Sequence, residues 1–148
     1  MNSTRIELSL PATAEAPRIV RRALSERPAL QEPDLRFLLR LLVTELVTNA
    51  VRHAGLDSDD RVEVVIAADH DVVSVSVTDH GRGGPALPAQ SSRERDSGRG
   101  LLLVTAMADR WSVHSRDGTT VLFELDCEPS GRPRHFDAAL RRAAESIV

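Results

Sequence analysis

From Leu41 to Ala54 the chain interleaves apolar residues with single polar ones. Leu42, Val43, Leu46, Val47, Ala50 and Val51 are apolar, while Glu45, Asn49 and His53 fall at i, i+4 and i+8. At 3.6 residues per turn, these three polar side chains share one stripe, drifting by about 40° per step, on a helix greasy enough to sit in a core. Pro33 suits the first helical turn, and Gly55 closes the helix after about Ala54. Buried polar groups need partners. A bound ligand or metal would supply them, and so would solvent or an internal hydrogen-bond network.

Other segments are read from the same periodicities. Arg5 to Leu10 alternates with period two and stops at Pro11, which predicts a strand. Ala14 to Glu26 predicts a helix with Ile19, Val20, Ala23 and Leu24 on its apolar face, ended by Arg27-Pro28. After the turn Asp57-Ser58-Asp59-Asp60 come strands over Arg61–Ala68 and Val72–Thr78, joined by Asp69-His70-Asp71. His80 to Arg99 reads as a long loop rich in glycine, proline, serine and charge, and loops of that length are more often functional than decorative. A helix over Leu101–Asp109 follows, then strands over Trp111–Ser115 and Thr119–Asp126 around the turn Arg116-Asp117-Gly118. Glu128 to Arg134 is a linker with two prolines, and Phe136 to Ile147 is an amphipathic helix. The order β-α-α-β-β-loop-α-β-β-α, with tight turns between successive strands, predicts an α+β fold. Its form is a two-layer α/β sandwich with a mixed, mostly antiparallel sheet and helices on one face.

Composition narrows the options. A chain of 148 residues with 41% apolar content fits one domain with a real core. The net charge of −3 leaves no footprint for nucleic acid or an anionic membrane. No apolar run reaches the roughly 18 residues of a membrane span, and Met1 to Arg5 lacks signal-peptide character. A cytoplasmic protein is expected. The single cysteine, Cys127, excludes an internal disulfide. All 19 basic residues are arginine. The lack of lysine excludes a P-loop, the strand lysine of protein-kinase-type transfer, and Schiff-base chemistry.

Two glycine clusters flank the long loop. In the first, Asp79 leaves the end of a buried strand and Gly81 and Gly83 follow. Such an aspartate can accept from an exocyclic amine while the glycines let backbone approach a flat ring. Taken alone, an exposed turn aspartate with flexible glycines explains it more simply. The second cluster, Ser97-Gly98-Arg99-Gly100-Leu101-Leu102, stands at a predicted helix start, where free amides and the helix dipole attract phosphate and Arg99 adds charge. Gly-x-Gly is a weak motif by itself.

Order and spacing together say more. Glu45-x3-Asn49-x3-His53-Ala54, then Asp79-x-Gly81-x-Gly83, then Gly98-x-Gly100-Leu101, then Gly118-Thr119-Thr120 resembles the GHKL ATP-binding (Bergerat) fold over roughly residues 5 to 126. The stretch Glu-Leu-Val-Thr-Asn-Ala-Val-Arg-His-Ala and the ending Thr-Val-Leu-Phe-Glu-Leu look most like the anti-sigma-factor serine kinase branch. The resemblance implies an ATP-binding domain over residues 1–128, followed by a linker and terminal helix over 129–148 that lie beyond the family core. It implies that Asn49 coordinates Mg2+ on the ATP phosphates, that Glu45 is the general base, and that Asp79 reads the adenine amine with help from Thr119. Gly81 and Gly83 would line the adenine pocket. Gly98, Arg99, Gly100 and Leu101 would surround the phosphates, and residues Gly84 to Ser97 would form a lid. Arg52 and His53 fall where relatives approach ligand, His53 in a packing or hydrogen-bonding role rather than a chemical one.

The implied function is an ATP-dependent protein serine kinase. It would transfer the γ-phosphate to a serine of an anti-sigma-factor antagonist and sequester a sigma factor. Relatives dimerise, so a homodimer is part of the implication. An ATP-binding regulatory module that signals by ATP-dependent partner binding is the alternative. The intact Glu45 favours the kinase. A histidine kinase catalytic domain is the weaker third reading, because no helix with a phospho-acceptor histidine precedes the domain.

Overall fold

Burial along the longest helix follows the expected spacing residue by residue. Leu35, Leu38, Leu39, Leu42, Val43, Leu46, Val47 and Ala50 are all buried, a continuous stripe at i, i+3, i+4 and i+7. The structure, a computed structural model, describes residues 3–53, 57, 59–80 and 95–147. Its helices are α1 (Ala16–Ser25), α2 (Pro33–His53), α3 (Arg95–Met107) and α4 (Phe136–Ile147), with a single 3-10 turn over Pro28–Leu30. Its strands are β1 (Thr4–Pro11), β2 (Arg61–Ala68), β3 (Val72–Asp79), β4 (Arg110–Ser115) and β5 (Thr119–Asp126). They form a sheet in the order β1-β2-β3-β5-β4 with antiparallel pairing throughout. This is the α+β architecture that the element order predicts.

Register explains the core. Ile6, Ile66, Val75 and Phe123 lie in one row across four strands, and Leu8, Val64, Val77 and Val121 lie in the next. Because side chains alternate with period two, both rows face the helices, and Ile66, Val64, Val75 and Phe123 are fully buried. α1 packs on β1 and α2, and α2 packs on β2, β3 and α3. The opposite face is polar, with Ser74, Ser76 and Thr78 along β3 and a 2.9 Å contact between the hydroxyls of Thr78 and Thr120.

Helix ends are set locally. Glu32 caps α2, its carboxylate accepting from the amides of Leu35 at 2.8 Å and Asp34 at 3.3 Å, with Pro33 as the first helical residue. The Gln31 side-chain amide donates to the carbonyls of Leu24 at 2.9 Å and Arg27 at 2.8 Å, satisfying the end of α1.

Most boundaries shift by one or two residues from the sequence expectation, and α3 by more. The helix expected over Leu101–Asp109 instead runs Arg95–Met107, so Gly98 and Gly100 lie inside it rather than ahead of it. Glycine costs about 1 kcal/mol in a helix. Leu101, Leu103, Val104, Ala106 and Met107 are buried, and that packing outweighs the cost.

Candidate functional site

The third inward row across the sheet breaks the apolar rule. It reads Leu10, Val62, Asp79, Thr119 and Ser115. Asp79 and Thr119 are direct partners on β3 and β5, and both are buried, at 8% and 6% exposure. They are the buried polar residues among those described. A carboxylate and a hydroxyl stand together where the row Val73, Val75 and Val77 would otherwise continue, and groups of this kind are costly to bury unless they are paired. Gly118 holds the pair together. Its φ of +119° suits glycine, and a Cβ there would overlap the carbonyl oxygen of Asp79. Asp117 precedes it in the left-handed region at φ 54°, and its carbonyl lies 3.3 Å from Nδ1 of His80.

α2 brings the second group. Glu45 and Asn49 are half-buried on the flank of the buried stripe, one turn apart. The carboxamide oxygen of Asn49 is fully shielded and has no hydrogen-bond partner among the described residues, and the same holds for Oγ1 of Thr44. Glu45 and Thr44 also line a cleft of about 430 Å³ with Arg21, Phe37, Arg40 and Leu41.

Connectivity sets the two groups at one end of the domain. α2 ends at His53, and the chain enters β2 at Arg61, where Val62 pairs with Asp79. α3 joins β4 at the opposite end, where Arg110 pairs with Glu124, so its N-terminal turns lead back toward Asp79. With α3 starting at Arg95, Gly98, Arg99, Gly100 and Leu101 occupy its first two turns, and Leu101 is buried in the core. The free amides of that terminus are therefore those of residues 95–97, ahead of Gly98 and Gly100. That corrects the expectation of a helix opening at the glycines. Gly81, Gly83 and the lid expected over Gly84 to Ser97 lie outside the described residues, except for residues 95–97 in α3. His53 ends α2.

Sequence reasoning passed over Thr44 and the cleft, for which no local signal exists. Gly118 enters the sequence reading only within the motif Gly118-Thr119-Thr120. Its close approach to Asp79 depends on the pairing of two strands separated by a helix.

An open antiparallel sheet covered by helices on one face, with a polar pair at one sheet end and a carboxylate and amide on the adjoining helix, defines an α+β sandwich domain with a candidate site at that end. A sequence profile of the histidine kinase-like ATPase domain matches residues 9–125, and the chain belongs to that family. Serine-protein kinase RsbW of Staphylococcus epidermidis is 30% identical over 139 residues, covering 82% of this chain and 87% of the relative. RsbW of Staphylococcus aureus strain Newman is 26% identical over 132 residues, covering 78% and 82%. An uncharacterized protein of Streptomyces coelicolor is 35% identical over 92 residues, covering 62% of this chain and 84% of its own. No helix among the described residues is long and apolar enough to cross a membrane.

Proposed function

We propose that this kinase-like ATPase domain is an ATP-dependent protein serine kinase of the anti-sigma-factor type. The observation that carries the reading is the shielded, unpartnered carboxamide oxygen of Asn49, one turn beyond Glu45 on α2. An orphaned buried acceptor of this kind costs about 1–3 kcal/mol, and a cation can use it. Mg2+ takes hard oxygen ligands and keeps several for water and phosphate, so a single neutral amide oxygen fits its needs. When bound there it would offset the charge of the ATP phosphates.

The chain's own residues divide the remaining work. Asp79, with Thr119 beside it, accepts from the adenine amine, and burial sharpens that recognition by excluding water. Gly81 and Gly83 are assigned to the adenine pocket, and Gly98, Arg99, Gly100 and Leu101 to the phosphate side. Glu45 opens onto the cleft beside α2, from which an acceptor hydroxyl can approach. About 6 Å of helix rise separates it from Asn49. There it orients the hydroxyl and takes its proton, which is the kind of positioning that phosphoryl transfer depends on. The RsbW relatives are named serine-protein kinases, which supports serine as the acceptor. An anti-sigma-factor antagonist as substrate, a sigma factor as second partner, a homodimer and a cytoplasmic location complete the proposal.

The test is incubation with γ-labelled ATP, Mg2+ and purified candidate antagonist proteins, scoring serine phosphate. Transfer supports the kinase. Mg-ATP binding without transfer to any candidate favours the regulatory module, and no binding at all overturns both readings.

A further inference from the structure

The family match ends at residue 125, yet the chain beyond it is bonded to both helices assigned to the nucleotide site. We propose that the segment from Cys127 to Ile147 is a clamp that positions α3 against α2 and thereby sets nucleotide affinity, with Arg142 as its principal positioning residue. This rests on the nucleotide reading given above.

Toward α2, Arg132 donates from Nε to Asp34 at 2.7 Å, and the Phe136 ring meets Phe37 edge-on with centroids 6.0 Å apart. The guanidinium of Arg132 also lies 5.8 Å from the centre of the Phe136 ring, holding the start of α4 beside the first turns of α2. Gly131, at φ +92°, makes the turn that brings this arginine round.

Toward α3 the contacts are of another kind. Arg142 donates from Nε to the carbonyl oxygen of Ala106 at 2.7 Å. That carbonyl belongs to the last turn of α3, where main-chain acceptors lack helical partners and the dipole favours a cation. Ala139 and Ala143, one turn apart, are buried at 1% and 6% exposure, so α4 lies close on its neighbour. His135 Nδ1 and Asp109 Oδ1 are 2.7 Å apart, and the other oxygen of Asp109 accepts from the amide of Asp126 at 2.7 Å. The turn from α3 into β4 is thus tied to the segment as well.

A helix moves as a rigid unit. Its C-terminal end is held by Arg142 and the Asp109 network, and its N-terminal turns carry Gly98 and Gly100. Loosening the first end shifts the second.

Three variants test the clamp: Arg142→Ala, Arg142→Lys and truncation after Glu128. The readouts are Tm and the Kd of a fluorescent ATP analogue with Mg2+, measured well below unfolding. Arg142→Ala is expected to weaken binding about 3- to 10-fold, the loss of roughly one hydrogen bond's worth of positioning. Lysine, which also donates to a carbonyl, should restore it. Leu24→Ala in α1 should lower Tm at least as much and leave Kd unchanged. If Arg142→Ala lowers Tm but binds as the native chain does, α4 is merely structural and the inference fails. Should the truncated chain fail to fold, the two Arg142 variants decide alone. A native chain that does not bind the analogue overturns the nucleotide reading and this inference with it.

Discussion

Gly118 is pressed against the backbone at Asp79. A Cβ on Gly118 would overlap the Asp79 carbonyl oxygen and stand 2.7 Å from Cα of His80. The contact lets β5 begin directly beside the end of β3, which places Thr119 opposite Asp79. Gly118→Ala meets both a left-handed φ and main-chain atoms that yield little. It is expected to destabilise the fold by about 2–4 kcal/mol, read by urea denaturation. A loss within the ordinary surface range of about 0.5 kcal/mol would show that the two backbones part freely.

Asp79→Asn preserves shape and replaces half of the acceptor with a donor. A hydrogen bond to a charged group is worth about 1.5–3 kcal/mol, so Mg-ATP affinity should fall roughly 10- to 150-fold with the fold intact by circular dichroism. Calorimetric titration is the check. Undiminished affinity would remove Asp79 from the pocket.

Asn49→Leu separates function from stability. Leucine matches asparagine in shape and removes an acceptor that has no partner among the described residues. The nucleotide-free variant should be as stable as the native chain or more so, by up to about 1–2 kcal/mol, while Mg2+-dependent nucleotide binding is lost. Destabilisation in place of this gain would mean that the Asn49 amide is structural.

Glu45→Ala should bind Mg-ATP with near-native affinity and lose phosphoryl transfer by about 10²- to 10⁴-fold, the usual contribution of a general base. Single-turnover transfer to a serine acceptor measures it. Full residual transfer would exclude Glu45 from the chemistry.

The thiol of Cys127 is buried, and desolvation is the main cause that pushes its pKa from the ordinary 9.0 up to about 11, with the charges of Asp109 and Asp126 adding to it. The unfolded chain therefore ionises first. The stability associated with this group is whole below pH 9 and is lost as pH rises toward 11. Thiol labelling of the folded protein at pH 8 should be far slower than in urea, and a comparable rate would show the site open to solvent.

Much of the fold was legible in the sequence because burial of one face follows a short period. The strands Arg61–Ala68 and Thr119–Asp126 and the helix Phe136–Ile147 stand where alternation and amphipathicity predict them. Two departures have a common cause. The 3-10 turn at Pro28–Leu30 and the early start of α3 both depend on apolar anchors, Leu30 and Leu101, buried against distant residues. Local propensity, which reads proline and glycine as breakers, does not register such packing.

The candidate site divides in the same way. That Glu45 and Asn49 share a helix face was readable from the chain alone, because it follows from the geometry of one helix. It takes the folded domain to turn Asp79 inward opposite Thr119, to leave Gly118 no room for a side chain, to shield the Asn49 oxygen without a partner among the described residues, and to bond the C-terminal helix to α3. Whether a polar group is satisfied, and how closely two backbones approach, depends on neighbours remote in the chain, and these meet only when the domain folds.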